Sequence, residues 1–247
     1  MTTTDETALR TSLGVLAGAT ATHDTGRDDD IALPKLPGFV ESAFSPLAYE
    51  VAARCLTEHP GDGARTAVAL ASLTGDTTTA DLASSRMVSG RVHNPLLFMQ
   101  ATANSVLGLM SREFGITGQM FSLSTLDDPL AELLAMADLL LEDPELDRVL
   151  VLGVELGGGE RVAAVHRELA ADSARPVPAL PASAGLAAAV LLGRPGTAAG
   201  ARVSLRPVAA ARRPGGIQNL FELAAAHRTE TRTEAGNETE THTHAHQ

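Results

Sequence analysis

The sequence predicts an α/β domain with helices on both faces of a sheet, on three observations. Apolar runs short enough for buried strands alternate with amphipathic stretches of helical period. Helix-start and turn signals separate them at regular intervals. The 247 residues are 44% hydrophobic, rich in Gly and Ala and only 3% aromatic, a composition suited to close packing of helices on one core-sized sheet.

Taken in order, residues 1–10 form a flexible polar start. Thr11–Thr20 is a first short strand, closing at Gly18. Asp24–Asp30 is an acidic loop, with Asp28, Asp29 and Asp30 read as a solvated charge run rather than a metal cluster. Ser45-Pro46 opens a helix with Ser45 as N-cap and Pro46 at the first helical position. Phe44, Leu47, Val51, Ala52, Cys55 and Leu56 recur at helical spacing and predict its buried face. Cys55 lies on that face as a small hydrophobe, without the His partner or glycine elbow of a nucleophile.

Arg65–Leu73 is a buried strand and Thr77–Met87 a helix. Asn94-Pro95 starts one helix from Leu96 to Phe114, with Leu97, Ala101, Ser105, Gly108, Leu109 and Arg112 along one side and Gly115 as its left-handed end. Gln119–Ser124 alternates as a strand. Asp128-Pro129 begins a helix burying Leu130, Leu133, Leu134, Ala137 and Leu141. Asp147–Glu155 is nearly all apolar, the pattern of a strand covered on both faces. Gly157–Gly159 lacks phosphate-loop spacing and turns the chain into a helix from Glu160 to Leu169. Arg175–Pro181 is a loop, Ala184–Gly193 a strand, Ala201–Val208 a strand beside it, and Ile217–His227 a last helix. Residues 228–247 are too polar to offset their ordering entropy; His242, His244 and His246 there are tail residues rather than a metal site. The domain proper spans 11–227.

Several functions are excluded on composition. A net charge of −11 and no basic run longer than Arg212-Arg213 argue against nucleic acid and anionic membrane as partners. One cysteine allows neither an intramolecular disulfide nor a thiolate metal site. The absence of a signal-like start or an 18-residue apolar run points to the cytoplasm. No metal or cofactor is expected.

The segment Val92–Ser124 resembles the β-ketoacyl synthase superfamily. Asn94, Pro95, Phe98, Asn104, Gly108, Gly115 and Gly118 fall in step with a run of that family, and DRVLVLGVE and AGLAAAVLLG resemble two of its later strands. The likeness covers about residues 10–193, the first half of a synthase. SPLA and RTAVALAS, at Ser45–Ala48 and Arg65–Ser72, are similar to short stand-alone relatives described as ketosynthase-like chain-length-factor proteins.

The resemblance implies a thiolase-like half: a mixed five-stranded sheet between helices. It also implies chemistry. The family delivers a nucleophilic cysteine at a sharp turn after a Ser-Thr-x motif, where a helix N-terminus lowers the thiol pKa. Here the motif reads Ser124-Thr125-Leu126-Asp127. Asp127 stands in the thiol's slot, where a carboxylate cannot carry a thioester, and it is expected to cap the helix beginning at Asp128. His93, His166 and His227 lie outside the family's catalytic-histidine context. The expected role is therefore a non-catalytic subunit pairing with an active ketosynthase, and through it with acyl carrier protein. Phe98, Met99, Met110, Phe121, Ser124 and Thr125 are the candidates for the interface or for lining a neighbour's acyl tunnel. Two alternatives remain at this point: an independent thioester-processing enzyme using Asp127 and Asp128, with His93, and a carrier-protein binding module, for which an acidic surface is unfavourable.

Overall fold

The computed structural model describes residues 13–90, 95–173, 180–181, 183–194 and 216–229. Five strands form one sheet: β1 (Gly14–His23), β2 (Thr66–Ala71), β3 (Met120–Leu123), β4 (Arg148–Leu156) and β5 (Gly185–Gly193). Their spatial order is β1-β5-β4-β2-β3. β5 runs antiparallel to both its neighbours, while β4, β2 and β3 are mutually parallel. The sheet is thus mixed and five-stranded, as the resemblance implied. It follows from these pairings that β1, β4, β2 and β3 all end on the same side of the sheet.

The strands are near-continuous apolar runs because both faces are covered, and alternate side chains sort between two cores. Val68, Leu70, Leu150, Leu152, Ala189 and Leu191 face one layer, helices α1 (Phe44–Glu58) and α4 (Asn104–Phe114). Ala67, Ala69, Val149, Val151, Val190 and Leu192 face the other, helix α5 (Pro129–Leu140) and the last helix, residues 218–229. That last helix lies close on the sheet at Gly18, where an added Cβ would come within 2.9 Å of the Ala224 carbonyl oxygen. The remaining helices are α2 (Thr77–Val88), α3 (Pro95–Gln100) and α6 (Glu160–Ser173).

Each apolar face expected for α1 and α5 is buried. Phe44, Leu47, Val51, Ala52, Cys55 and Leu56 belong to one core, and Leu130, Leu133, Leu134, Ala137 and Leu141 to the other. Two readings of helix starts and extents are corrected. Ser45 is not the cap of α1 but a residue of its first turn, buried, with no partner for its hydroxyl among the described residues. Ser42 serves the helix start instead, its Oγ accepting a bond from the Phe44 N–H at 3.0 Å.

The single helix expected from Leu96 to Phe114 is two. At the break, the Thr102 hydroxyl donates to the Met99 carbonyl at 2.8 Å, Ser105 Oγ bonds the same carbonyl, and the two hydroxyls bond each other at 2.8 Å. Hydroxyls that satisfy a carbonyl locally compete with helix continuation. The buried side of α4 is consequently Val106, Leu107, Leu109 and Met110. Of the expected stripe, Gly108 and Arg112 are exposed and Ser105 is half-buried. Gly115 does end α4 in the left-handed region, at φ 63°.

Asp28 and Asp29 are exposed. Asp30 ties its loop down, accepting bonds from the Thr25 hydroxyl at 2.7 Å and the Gly26 N–H at 2.9 Å. Partial burial pushes its carboxyl upward, but these hydrogen bonds override that and bring it down to about 2. The last helix runs through residue 229, two residues past its expected end at His227. The loop at Arg175–Pro181 lies largely outside the described residues. So do the strand at Ala201–Val208 and the tail beyond residue 229. Among the described residues no helix is long and apolar enough to cross a membrane.

Candidate functional site

The turn between β3 and α5 is built from both sides. β3 is the edge strand beyond β2. Its end is fastened to the loop after β2 by the Ser124 hydroxyl, which donates to the Leu73 carbonyl at 2.9 Å, and by the Ser72 N–H, which donates to the Leu123 carbonyl at 3.1 Å. The chain then tightens: the Asp127 N–H donates to Thr125 Oγ1 at 3.1 Å. On the far side, Asp128 takes an extended conformation, its Oδ1 accepts from the Leu130 N–H at 3.0 Å, and Pro129 opens the helix.

The cap of α5 is therefore Asp128, not Asp127. A capping carboxylate reaches the N–H two or three residues ahead from the position just before the first helical residue, and Pro129 fixes that first position. Asp128 has a second tie, accepting from Asn219 Nδ2 of the last helix at 2.8 Å. Next to it the Ile217 N–H donates to Glu155 Oε1, at the end of β4, at 2.7 Å. Two carboxylates thus pin the start of the last helix across the strand ends. Sequence reasoning missed Asn219 and Glu155 as partners of this turn; a bond between residues 91 apart in the chain leaves no local pattern.

Asp127 itself is exposed at the tip of the turn, and no hydrogen bond or ion pair among the described residues engages its carboxylate. A negative group just before a helix is electrostatically favourable there. The arrangement offers a fixed carboxylate and no sulfur. Cys55 lies on the opposite side of the sheet from α5, wholly buried, its thiol 3.6 Å from the Ala189 carbonyl. Burial, reinforced by the charge of Glu58, pushes that thiol up to about 12, so it forms almost no thiolate at neutral pH.

The other candidates scatter. Phe98 and Met99 are 47% and 64% exposed on α3. Phe121 is half-buried against the α5 core, and Met110 is wholly buried in the α1–α4 core. Ser124 and Thr125 have the structural bonds given above. His227 is buried in the last helix. His93 and the side chain of His166 lie outside the described residues. Among the described residues no group of His, Cys, Asp and Glu is placed to hold a metal ion.

Solved structures share this architecture. A chain of the complex between the ketosynthase ApeO and its chain length factor ApeC from Xenorhabdus doucetiae matches 70% of this chain at 21% identity, with a TM-score of 0.52. The ishigamide ketosynthase/chain length factor matches 68% at 13% identity and 0.51. A β-ketoacyl synthase from Burkholderia phymatum STM815 matches 66% at 17% identity and 0.51. The described residues thus have a ketosynthase-like fold of the thiolase-like kind. The alignments span 66%, 48% and 46% of those chains respectively. No family model matches the sequence, and no curated protein does either.

Proposed function

We propose that this chain is a catalytically degenerate ketosynthase-like subunit of the chain-length-factor type. It pairs in the cytoplasm with an active β-ketoacyl carrier-protein synthase in type II polyketide, polyene or fatty-acid-like biosynthesis. One observation carries the reading: the exposed tip of the β3–α5 turn bears Asp127, while the chain's only thiol is sealed beneath the sheet. Condensation then requires the thiol of another polypeptide, and acyl carrier protein meets this chain through that partner.

The sheet edges favour association through β3. At the opposite edge, β1 carries a bulge between Val15 and Ala17. Arg54 donates to the Thr20 carbonyl there at 3.1 Å, and Arg228 to the Thr20 hydroxyl at 3.1 Å. Bulges and charged side chains are the usual means of blocking strand addition. β3 pairs with β2 on one side and has no described strand on the other. The exposed Phe98 and Met99 add apolar area suited to the core of an interface. Complexes of this composition are known among the structural relatives, since ApeO was solved with its chain length factor.

The thioester-processing alternative is not favoured, because Asp128 is engaged by Leu130 and Asn219 and leaves Asp127 without a free acidic neighbour. The test is co-expression with a cysteine-bearing ketosynthase encoded nearby. A stable complex is expected whose condensation activity survives Asp127→Ala and whose assembly is lost in Met99→Glu. Loss of condensation in Asp127→Ala with the complex intact would show that the carboxylate takes part in the chemistry.

A further inference from the structure

Helix α5 is apolar on more sides than the sheet covers. Between Pro129 and Leu140 its only polar residues are Glu132 and Asp138. Leu130, Leu133, Leu134 and Ala137 face the core beneath. On the opposite side Ala131, Ala135 and Leu139 recur at four-residue spacing and so line up along the helix. Leu139 is 60% exposed, while Ala131, Ala135 and the neighbouring Met136 are half-buried. Leu126, just ahead of the helix, is 55% exposed. A surface helix carries polar residues along its outer side; here that side is a short apolar stripe.

The borders of the stripe are acidic. At about 100° per residue, Glu132 and Asp138 fall on its opposite flanks. Asp127 precedes the helix, Glu142 follows it, and all of these carboxylates are exposed. Among the described residues no ion pair or hydrogen bond engages any of them. No Lys or Arg occurs between Arg112 and Arg148. The cations nearby are engaged: Arg65 pairs with Asp147, and Arg194 donates to the carbonyls of Asp143 and Leu146. Asp138 lies in the last turn of α5, where the peptide dipoles oppose a negative charge and no basic residue offsets it. A cation brought to this side relieves that repulsion.

Charge therefore selects the occupant. A second copy would set the same carboxylates against themselves across a twofold contact, and an anionic lipid surface is repelled in the same way. We infer that the outer side of α5 docks a basic amphipathic helix of another protein. The apolar side of that helix rests on Ala135, Met136 and Leu139, and its Lys or Arg side chains meet Glu132, Asp138 and Glu142. The docking side belongs to the helix layer over β2 and β4, so the inference is independent of whether the chain pairs with a ketosynthase through the β3 edge.

The probe is a fluorescent Leu/Lys peptide of about 18 residues, patterned for an amphipathic helix and long enough to hold one. It is titrated by anisotropy against the full chain, with a scrambled peptide of the same composition as control. Saturable one-to-one binding of the patterned peptide is expected, and none of the scrambled one. Asp138→Lys weakens binding about three- to tenfold, the scale of exchanging an exposed ion pair for a like-charge contact. Asp28→Lys makes the same charge change on the exposed 24–30 loop and leaves binding unchanged. Leu139→Glu separates docking from charge attraction, because it removes the apolar centre of the stripe while adding a carboxylate; binding falls about tenfold. Leu139 and Asp138 are exposed, so neither variant disturbs the core. The assignment is overturned by absence of saturable binding, by equal losses in Asp28→Lys and Asp138→Lys, or by a peptide held as tightly by Leu139→Glu as by wild type. Gel filtration showing a wild-type dimer that Leu139→Glu dissociates would overturn it in favour of a second copy.

Discussion

Replacing Asp127 by cysteine places a second thiol in the protein and compares two sites in one molecule. The structure sets the contrast. Cys55 is sealed and its thiol raised to about 12. A thiol at position 127 would sit exposed at a helix start, where the peptide dipoles favour thiolate and the neighbouring carboxylates Asp128 and Glu132 oppose it. With these roughly cancelling, an ordinary thiol value of about 8.5 gives ~10% thiolate at about pH 7.5. At the same pH, a value of about 12 leaves ~0.003% thiolate, so the ratio is of order 3,000 before any difference in access is counted. Iodoacetamide labelling of Asp127→Cys, followed by mass spectrometry of the two cysteine peptides, measures that ratio, and labelling in urea provides the reference in which both react alike. Native rates within tenfold of each other would refute the geometry. So would ordinary alkylation of Cys55 in the folded wild type. In either case the contrast between an open turn and a buried thiol, on which the degenerate-subunit reading rests, would be lost.

Two further outcomes follow from packing and from a buried acid. Gly18→Ala drives a methyl toward the Ala224 carbonyl oxygen, with backbone on both sides and nothing able to rotate away. Overpacking of about 1–3 kcal/mol, less about 0.5–1 kcal/mol gained through the unfolded chain, leaves a net cost of up to about 2.5 kcal/mol, or a fall of up to roughly 10 °C in Tm for a chain of this size. Gly108→Ala, where an added methyl meets nothing in the middle of α4, should raise stability by about 1 kcal/mol, and thermal unfolding that moves both variants the same way would contradict the packing. Asp76 is buried and caps α2, accepting from the N–H and hydroxyl of Thr79. Burial raises its carboxyl above the ordinary value of 3.8 despite those bonds, so the folded state holds a proton that the unfolded chain releases. Its contribution to stability is full below that ordinary value and is lost as pH rises through the raised one. Wild type should therefore gain on Asp76→Asn as the pH is lowered through that window; thermal melts showing wild type losing ground on acidification would reverse the sign.

The sequence by itself determined the elements, because what defines them is local. The helical spacing of Leu130, Leu133, Leu134 and Ala137 and the apolar run Val149–Val154 each express which faces must leave water, whatever lies opposite. It also determined that the residue at the β3–α5 turn is a carboxylate and that Cys55 is packed away. The resemblance added the mixed five-stranded sheet. Tertiary structure decided the rest, since bonds between distant residues leave no periodic trace. It moved the cap of α5 from Asp127 to Asp128 through Pro129 and Asn219. The break in the 96–114 stretch, by contrast, is local: Thr102 and Ser105 take up the Met99 carbonyl three and six residues back, a competition that apolar periodicity does not register. Tertiary structure also brought the ends of β1 and β4, 133 residues apart by the numbering of His23 and Leu156, to one rim, because β5 pairs antiparallel with both and so aligns them.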